Sequence, residues 1–317
     1  MSIDRSVGVN EQRPHLELRL YLVGLLAVAA FGFATSPLDG GYWWSDGPRH
    51  ALDGAFLLDA ARDMPVRDPL GYASAYYLRY PALTIPFYPP LVHAVIALAF
   101  GVFGVSSLVA QAVVACFHFG LLVATFLLAR RWLKPPYAFG AALVAGAGPE
   151  VLTWGRQVML DVPAYALLVA AVLAFVRWLD GGRAATPYAW VALLLAAIYA
   201  KYNTAFILAP FAIALIASRG WAWTRDRRLR MAALAATVLL VPAAVMLVKF
   251  GGGNFASVVG SQSTDLPRAS IGAWTFYLAA LPNQVGWPAL LLAPIGAVLA
   301  FRSPAFPRPD RLLLASW

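Results

Sequence analysis

An all-α, polytopic membrane protein is the fold class that this sequence predicts, and three observations predict it. Of its 317 residues, 61% are hydrophobic and only 12% are charged, about half of the ~25% charged residues usual in a soluble domain. The mean hydropathy is +0.69. The charges that remain gather in short clusters between apolar stretches of bilayer-spanning length. A soluble fold of this size keeps a charged skin over one core, and there is too little charge here for that skin.

Residues 1–17 are polar and of mixed charge, and an apolar run follows at 18–36. That run is as long as a full span and lacks a small-residue cleavage site, so it reads as an uncleaved first span rather than a signal peptide. Further spans are predicted at about 107–129, 137–153, 163–179, 188–200, 203–218, 231–249 and 285–301. The run from Pro89 to Phe103 is ambiguous, because it opens with Pro-Pro and contains Gly101.

Sidedness resolves it. If residues 88–104 lie in the interface and the N-terminus is cytoplasmic, 16 of the 24 basic residues fall inside; if they cross, only 7 do. The excess of Lys and Arg on cytoplasmic loops selects the first arrangement, and a 15-residue apolar run is short for a span. The expectation is a multi-pass inner-membrane protein with a long outer loop at about 37–106 carrying interfacial helices, and a second outer loop at about 154–162. Nine of the fifteen acidic residues then lie outside, so chemistry is expected on that face. With no soluble insert, low-complexity tract or fixed-period repeat, residues 1–317 read as one transmembrane domain. It stops at Trp317 just after a new apolar start, as a C-terminally truncated chain would.

A net charge of +9 raises the question of nucleic acid. The basic residues flank apolar spans and form no stripe with interleaved aromatics, so membrane orientation accounts for them and nucleic acid is excluded as a partner. The single cysteine, Cys116, permits no intrachain disulfide and reads as a small buried hydrophobe.

The outer loops hold the residues able to carry chemistry. Asp46 precedes Gly47-Pro48, a helix start, so it is either an N-cap or a carboxylate at the membrane surface free to take a proton or bind a cation. Arg49 and Asp53 stand four apart and read as a helical ion pair, and His50 as a polar interfacial side chain. Trp43 and Trp44 suit an aromatic belt. In the second loop, Asp161 stands two residues before Pro163 and again suits a cap. Lys201 lies between two apolar runs, either snorkelling from a tight turn or facing a lipid phosphate.

In order along the chain, these pieces resemble the GT-C glycosyltransferases, and within them the protein O-mannosyltransferase and lipid A aminoarabinose transferase group, family 39. The shared order is Trp44-Ser45-Asp46, Pro89-Pro90-Leu91 through Phe103-Gly104, Arg130-Arg131-Trp132, Arg156 with Asp161 and Pro163, then Lys201, Leu281-Pro282 and Trp287-Pro288. The likeness covers roughly residues 18–317. It implies a GT-C-like bundle, with Asp46 the catalytic outer-loop carboxylate, Asp161 the second acidic position and Lys201 the lysine meeting the donor phosphate. Three positions depart from the pattern: Gly47 replaces the usual Glu, His50 a usual Tyr, and Tyr88 the charged residue before the prolines.

The implied reaction moves a sugar from a polyprenyl-phosphate donor to a hydroxyl or amine of a glycan, lipid or protein acceptor, with inversion. Asp46 would act as the general base, while Lys201 and Arg156 stabilise the leaving phosphate and His50 and Tyr88 line the substrate site. Asp161 either positions the acceptor or joins Asp46 in holding a divalent cation, the one cofactor this reading admits. A transporter or lipid flippase is the alternative; it would place charges within spans and show repeated halves, neither of which the sequence displays.

Overall fold

The computed structural model describes residues 7–85, 87–181, 186–260, 270–304 and 306–315. Arg5, Arg183 and Asp265, which belong to the charge counts above, and Trp317 lie outside the described residues. The first helix, α1 (Val7–Ala34), contains an apolar stretch from Leu16 long enough to cross a membrane. The long loop that follows folds into three helices, α2 (Asp46–Asp63), α3 (Pro69–Arg79) and α4 (Leu91–Phe103). At 13 residues α4 is too short to span. It packs instead along α2.

Helix α5 (Ser107–Ala129) starts where Ser106 Oγ accepts the Val109 amide, and it runs 23 residues, about 34 Å. The apolar run at 137–153, expected as one span, is broken into α6 (Pro135–Gly146) and α7 (Pro149–Gly155). The cause is Pro149: its ring keeps Gly148 extended, with φ −58° and ψ 146°, so the helix cannot continue. Helix α8 (Asp161–Leu179) is the centre of the bundle, with 61% of its apolar stretch buried against α5 and its neighbour α9 (Thr186–Ala200). A 3-10 turn at Tyr202–Ile207 leads into α10 (Leu208–Arg219), and the pair makes one span.

Helix α11 (Arg227–Gly260) is peripheral, with 11% of its apolar stretch buried. Helices α12 (Ile271–Val285) and α13 (Trp287–Arg302) meet at 106° across Gly286, whose φ of 81° favours glycine. The predicted late span at 285–301 is thus one arm of a bent pair. Helix α14 (Arg308–Ala315) closes the described chain. Among the described residues, five helices are long and apolar enough to cross a membrane, or six if the bent pair counts as one; this is a multi-pass membrane protein. At 15 residues α9, expected as a span, is shorter than these.

The bundle has two polar ends. At one end, beyond α5 and α8, Arg131 bonds to both Asp180 and the buried Asp310 of α14, and Trp132 Nε1 donates to Asp310 at 2.8 Å. Burial is offset there because the carboxylate keeps a cation and a neutral donor. Asp161 lies at the other end of α8, 19 residues away, or about 28 Å. Helices α2 and α4 sit at this second end.

Candidate active site

The second end is assembled from three stretches of chain. The backbone amide of Trp44 donates to Gln157 Oε1 at 2.8 Å, and the Trp44 and Trp154 rings meet edge to face with centroids 5.7 Å apart. Gln157 is 1% exposed in this joint between the first and second loops, while the Trp44 ring stays half exposed. Arg156 donates from Nε to the Thr35 carbonyl at 3.0 Å, and its guanidinium lies 4.7 Å over the Trp43 ring. The end of α1, residues 43–46 and residues 154–157 therefore meet at one place.

Asp46 is the first residue of α2, with Ser45 ahead of it, and its side chain makes no capping bond. The N-cap expected from sequence is not formed. Instead Tyr88 Oη donates to Asp46 Oδ2 and Arg49 to Oδ1, each at 3.4 Å. Arg49 thus pairs with Asp46 and not with Asp53, as the four-residue spacing had suggested. The reason is that Asp53 faces the other way, into α4, and is fully buried. It accepts from the Thr84 amide at 2.8 Å and from Thr84 Oγ1 at 2.6 Å. Burial pushes the Asp53 carboxyl up to about 6, although both Thr84 bonds favour the anion.

His50 is not interfacial: it is 1% exposed, one turn after Asp46. Its Nδ1 lies 3.0 Å from Nε2 of His93, a fully buried side chain on α4. His93 Nε2 is in turn 3.6 Å from Asp53 Oδ2. Burial holds His50 well below its ordinary range, with smaller contributions from His93, Lys201 and Arg49, and it pushes His93 down to about 4. The Tyr88 ring meets His50 edge-on at 4.8 Å, and burial together with the Asp46 carboxylate pushes its phenol up to about 12.

Forty residues apart in sequence, Lys201 and Asp161 form an ion pair with Nζ 2.5 Å from Oδ1. Asp161 opens α8 without capping it, and Lys201 sits in extended backbone where α9 ends. The Asp161–Lys201 pair and the Asp46–Tyr88 pair flank one apolar cluster, in which Leu160, Ala164 and Ala200 pack with Val92 and Ile96, and Tyr88 lies against them. Beside this cluster an apolar groove of about 820 Å³ runs between α4, α5 and α8, lined among others by Ala99, Val109, Val113, Cys116 and Leu167. Cys116 is accordingly exposed rather than buried, a correction to the sequence reading.

Of the six site residues predicted, the structure links Asp46 with Tyr88, Tyr88 with His50, and Asp161 with Lys201, while Arg156 is engaged by the end of α1. Sequence reasoning missed His93, Thr84 and Gln157. A histidine in the otherwise apolar run Leu91–Phe103 was the one available signal.

With this geometry in hand, comparison with known proteins is informative. The family model described as dolichyl-phosphate-mannose-protein mannosyltransferase matches residues 88–248. No curated protein matches. Among solved structures, the crystal structure of ArnT from Cupriavidus metallidurans bound to undecaprenyl phosphate superposes with a TM-score of 0.64 at 20% identity. The match covers 94% of this chain and 53% of that one, so the chain spans about half the length of the solved relative. The fold is shared with that structure: a GT-C-like bundle, helical throughout the described residues that carry regular structure.

Proposed function

The chain belongs to the dolichyl-phosphate-mannose-protein mannosyltransferase family, and on that premise we propose that it moves a sugar from a polyprenyl-phosphate donor to an acceptor hydroxyl or amine at the outer face of the inner membrane. The observation that carries this reading is the pairing of a base and a cation around one cluster: Asp46 under Tyr88, and Lys201 against Asp161. The apolar groove beside them is of a size and polarity to accept a prenyl tail, and the solved relative is described with undecaprenyl phosphate bound.

In the proposed reaction Asp46 takes the acceptor proton, the freed oxygen or nitrogen bonds to the anomeric carbon, and the bond from that carbon to the phosphate oxygen breaks. The electron pair leaves with the lipid phosphate. Inversion follows from attack opposite the leaving group. Lys201 faces the charge that grows on the phosphate and, placed before the reaction begins, stabilises the transition state without reorganisation. Asp161 holds the lysine in place. Arg156 adds positive charge at the same end, and Tyr88 and His50 shape the wall next to Asp46.

The test is transfer of radiolabelled sugar from polyprenyl-phosphate donors in membranes carrying the full-length protein. The proposal expects label in an extractable product with wild type and none with Asp46→Asn at equal membrane level. Equal transfer by that variant would remove Asp46 as the base.

A further inference from the structure

We propose that His50, Asp53 and His93 form a binding site for one divalent transition-metal ion of the zinc class, buried between α2 and α4. The inference concerns residues other than the base and the lysine of the transfer reaction. It does not depend on that reaction.

His50 and Asp53 stand three residues apart on α2, so both project from one helix face, and His93 reaches them from α4. The ligand atoms of the three lie within 4.8 Å of one another. Two ligands at the usual zinc distances and a tetrahedral angle are about 3.3 Å apart. The observed His50 Nδ1 to His93 Nε2 separation of 3.0 Å and His93 Nε2 to Asp53 Oδ2 separation of 3.6 Å bracket that value. An ion seated among them would draw the His50 and Asp53 ligand atoms, which lie within 4.8 Å, toward that spacing.

The chemistry fits as well as the distances. Burial keeps both imidazoles neutral, the form in which nitrogen offers a lone pair to a metal. Two imidazole nitrogens with one carboxylate oxygen are a zinc-type donor set. Thr84 grips the Asp53 carboxylate with two hydrogen bonds, the outer support that ligating carboxylates usually have. Asp53 also has no arginine or lysine in direct contact, because Arg49, which acts on it only at a distance, bonds to Asp46. A buried carboxylate without a cation is costly, and a metal ion supplies one.

The test titrates cobalt(II) into chelator-treated full-length protein in detergent, following the visible d–d absorption, with zinc(II) as competitor. Wild type should take up one equivalent that zinc displaces. His93→Gln and Asp53→Asn should lose that band or weaken binding more than tenfold, while Asp46→Asn and Asp161→Asn keep it. Thr84→Val leaves all three ligands in place and should weaken binding about tenfold, which decides the matter if either ligand variant fails to fold. The proposal is overturned by a folded wild type without saturable uptake, by uptake that survives both ligand variants, by unchanged affinity in Thr84→Val, or by loss in Asp46→Asn and Asp161→Asn with Asp53→Asn unaffected.

Discussion

Lys201 Nζ lies 2.5 Å from the Asp161 carboxylate, joining the start of α8 to the end of α9 at the polar end opposite Arg131. Both side chains are mostly shielded, at 29% and 13% exposure, so the pair holds its geometry better than a surface ion pair. Lys201→Ala should lower kcat for sugar transfer by about 100-fold, the order seen when one preorganised charge-stabilising donor is removed. Lys201→Ala with Asp161→Ala should cost far less than the product of the single losses, because the two act as a unit. Kinetics on the four forms measure the coupling, and simple multiplication would rule out a joint role.

Asp46→Asn keeps the shape of the side chain and removes its basicity. Transfer should drop by roughly 100- to 10,000-fold, the range for a positioned general base, with little change in thermal unfolding. Tyr88→Phe removes only the 3.4 Å contact to Asp46 and should cost much less. Comparable losses in both variants would point to a structural role for the pair.

At the opposite end, Arg131→Ala would leave Asp310, 2% exposed, with only the Trp132 donor. An uncompensated buried charge typically costs about 3 kcal/mol or more. The expected outcome is a lower unfolding temperature in detergent, read by tryptophan fluorescence, and its rescue by Arg131→Ala combined with Asp310→Asn. A double variant no more stable than the single one would mean that the lost cation is not the cause.

At Gly54 α2 comes close against α4: a Cβ there would stand 2.5 Å from Ile96 Cγ2. Gly54→Ala should destabilise by about 1–3 kcal/mol through overpacking, and Ile96→Ala should relieve the clash in the double variant. Thermal unfolding of the two single variants and the double one checks this. A neutral Gly54→Ala would show that the two helices are free to part.

Three cysteine positions test sidedness after Cys116→Ala. Ser45→Cys and Asn203→Cys belong to the site end, and Thr224→Cys to the other. An impermeant thiol reagent added to intact cells should label the first two alike and leave Thr224→Cys unmodified until the membrane is opened. Ser45→Cys and Asn203→Cys reacting from opposite sides would contradict a shared site.

The spans around 107–129 and 163–179 were legible in sequence because each holds a long uncharged run that charge ends, at Arg130 and at Arg177. The run at 137–153 misled because averaged hydropathy is blind to Gly148-Pro149, where backbone geometry and not polarity ends a helix. Asp46, Asp161 and Lys201 could be singled out by residue type and order, but no local spacing announces that Lys201 meets Asp161 or that Tyr88 meets Asp46. Those contacts arise from how separate helices pack. His50 and Asp53 were misjudged for the same reason: a helical pattern tells which side chains share a face, and only α4 decides that this face is dry.

Gly54 leaves so little space against Ile96 that any side chain there would push α2 off α4, and Asp46 and Tyr88 stand at the head of α2 and just before α4. Lys201 and Asp161 are held at the end of α9 and the start of α8 instead. Val92 and Ile96 of α4 pack with Leu160 and Ala200, the chain neighbours of that pair. The spacing between the acid and the ammonium is therefore set through one continuous apolar contact, and a change of volume inside it would be felt at both.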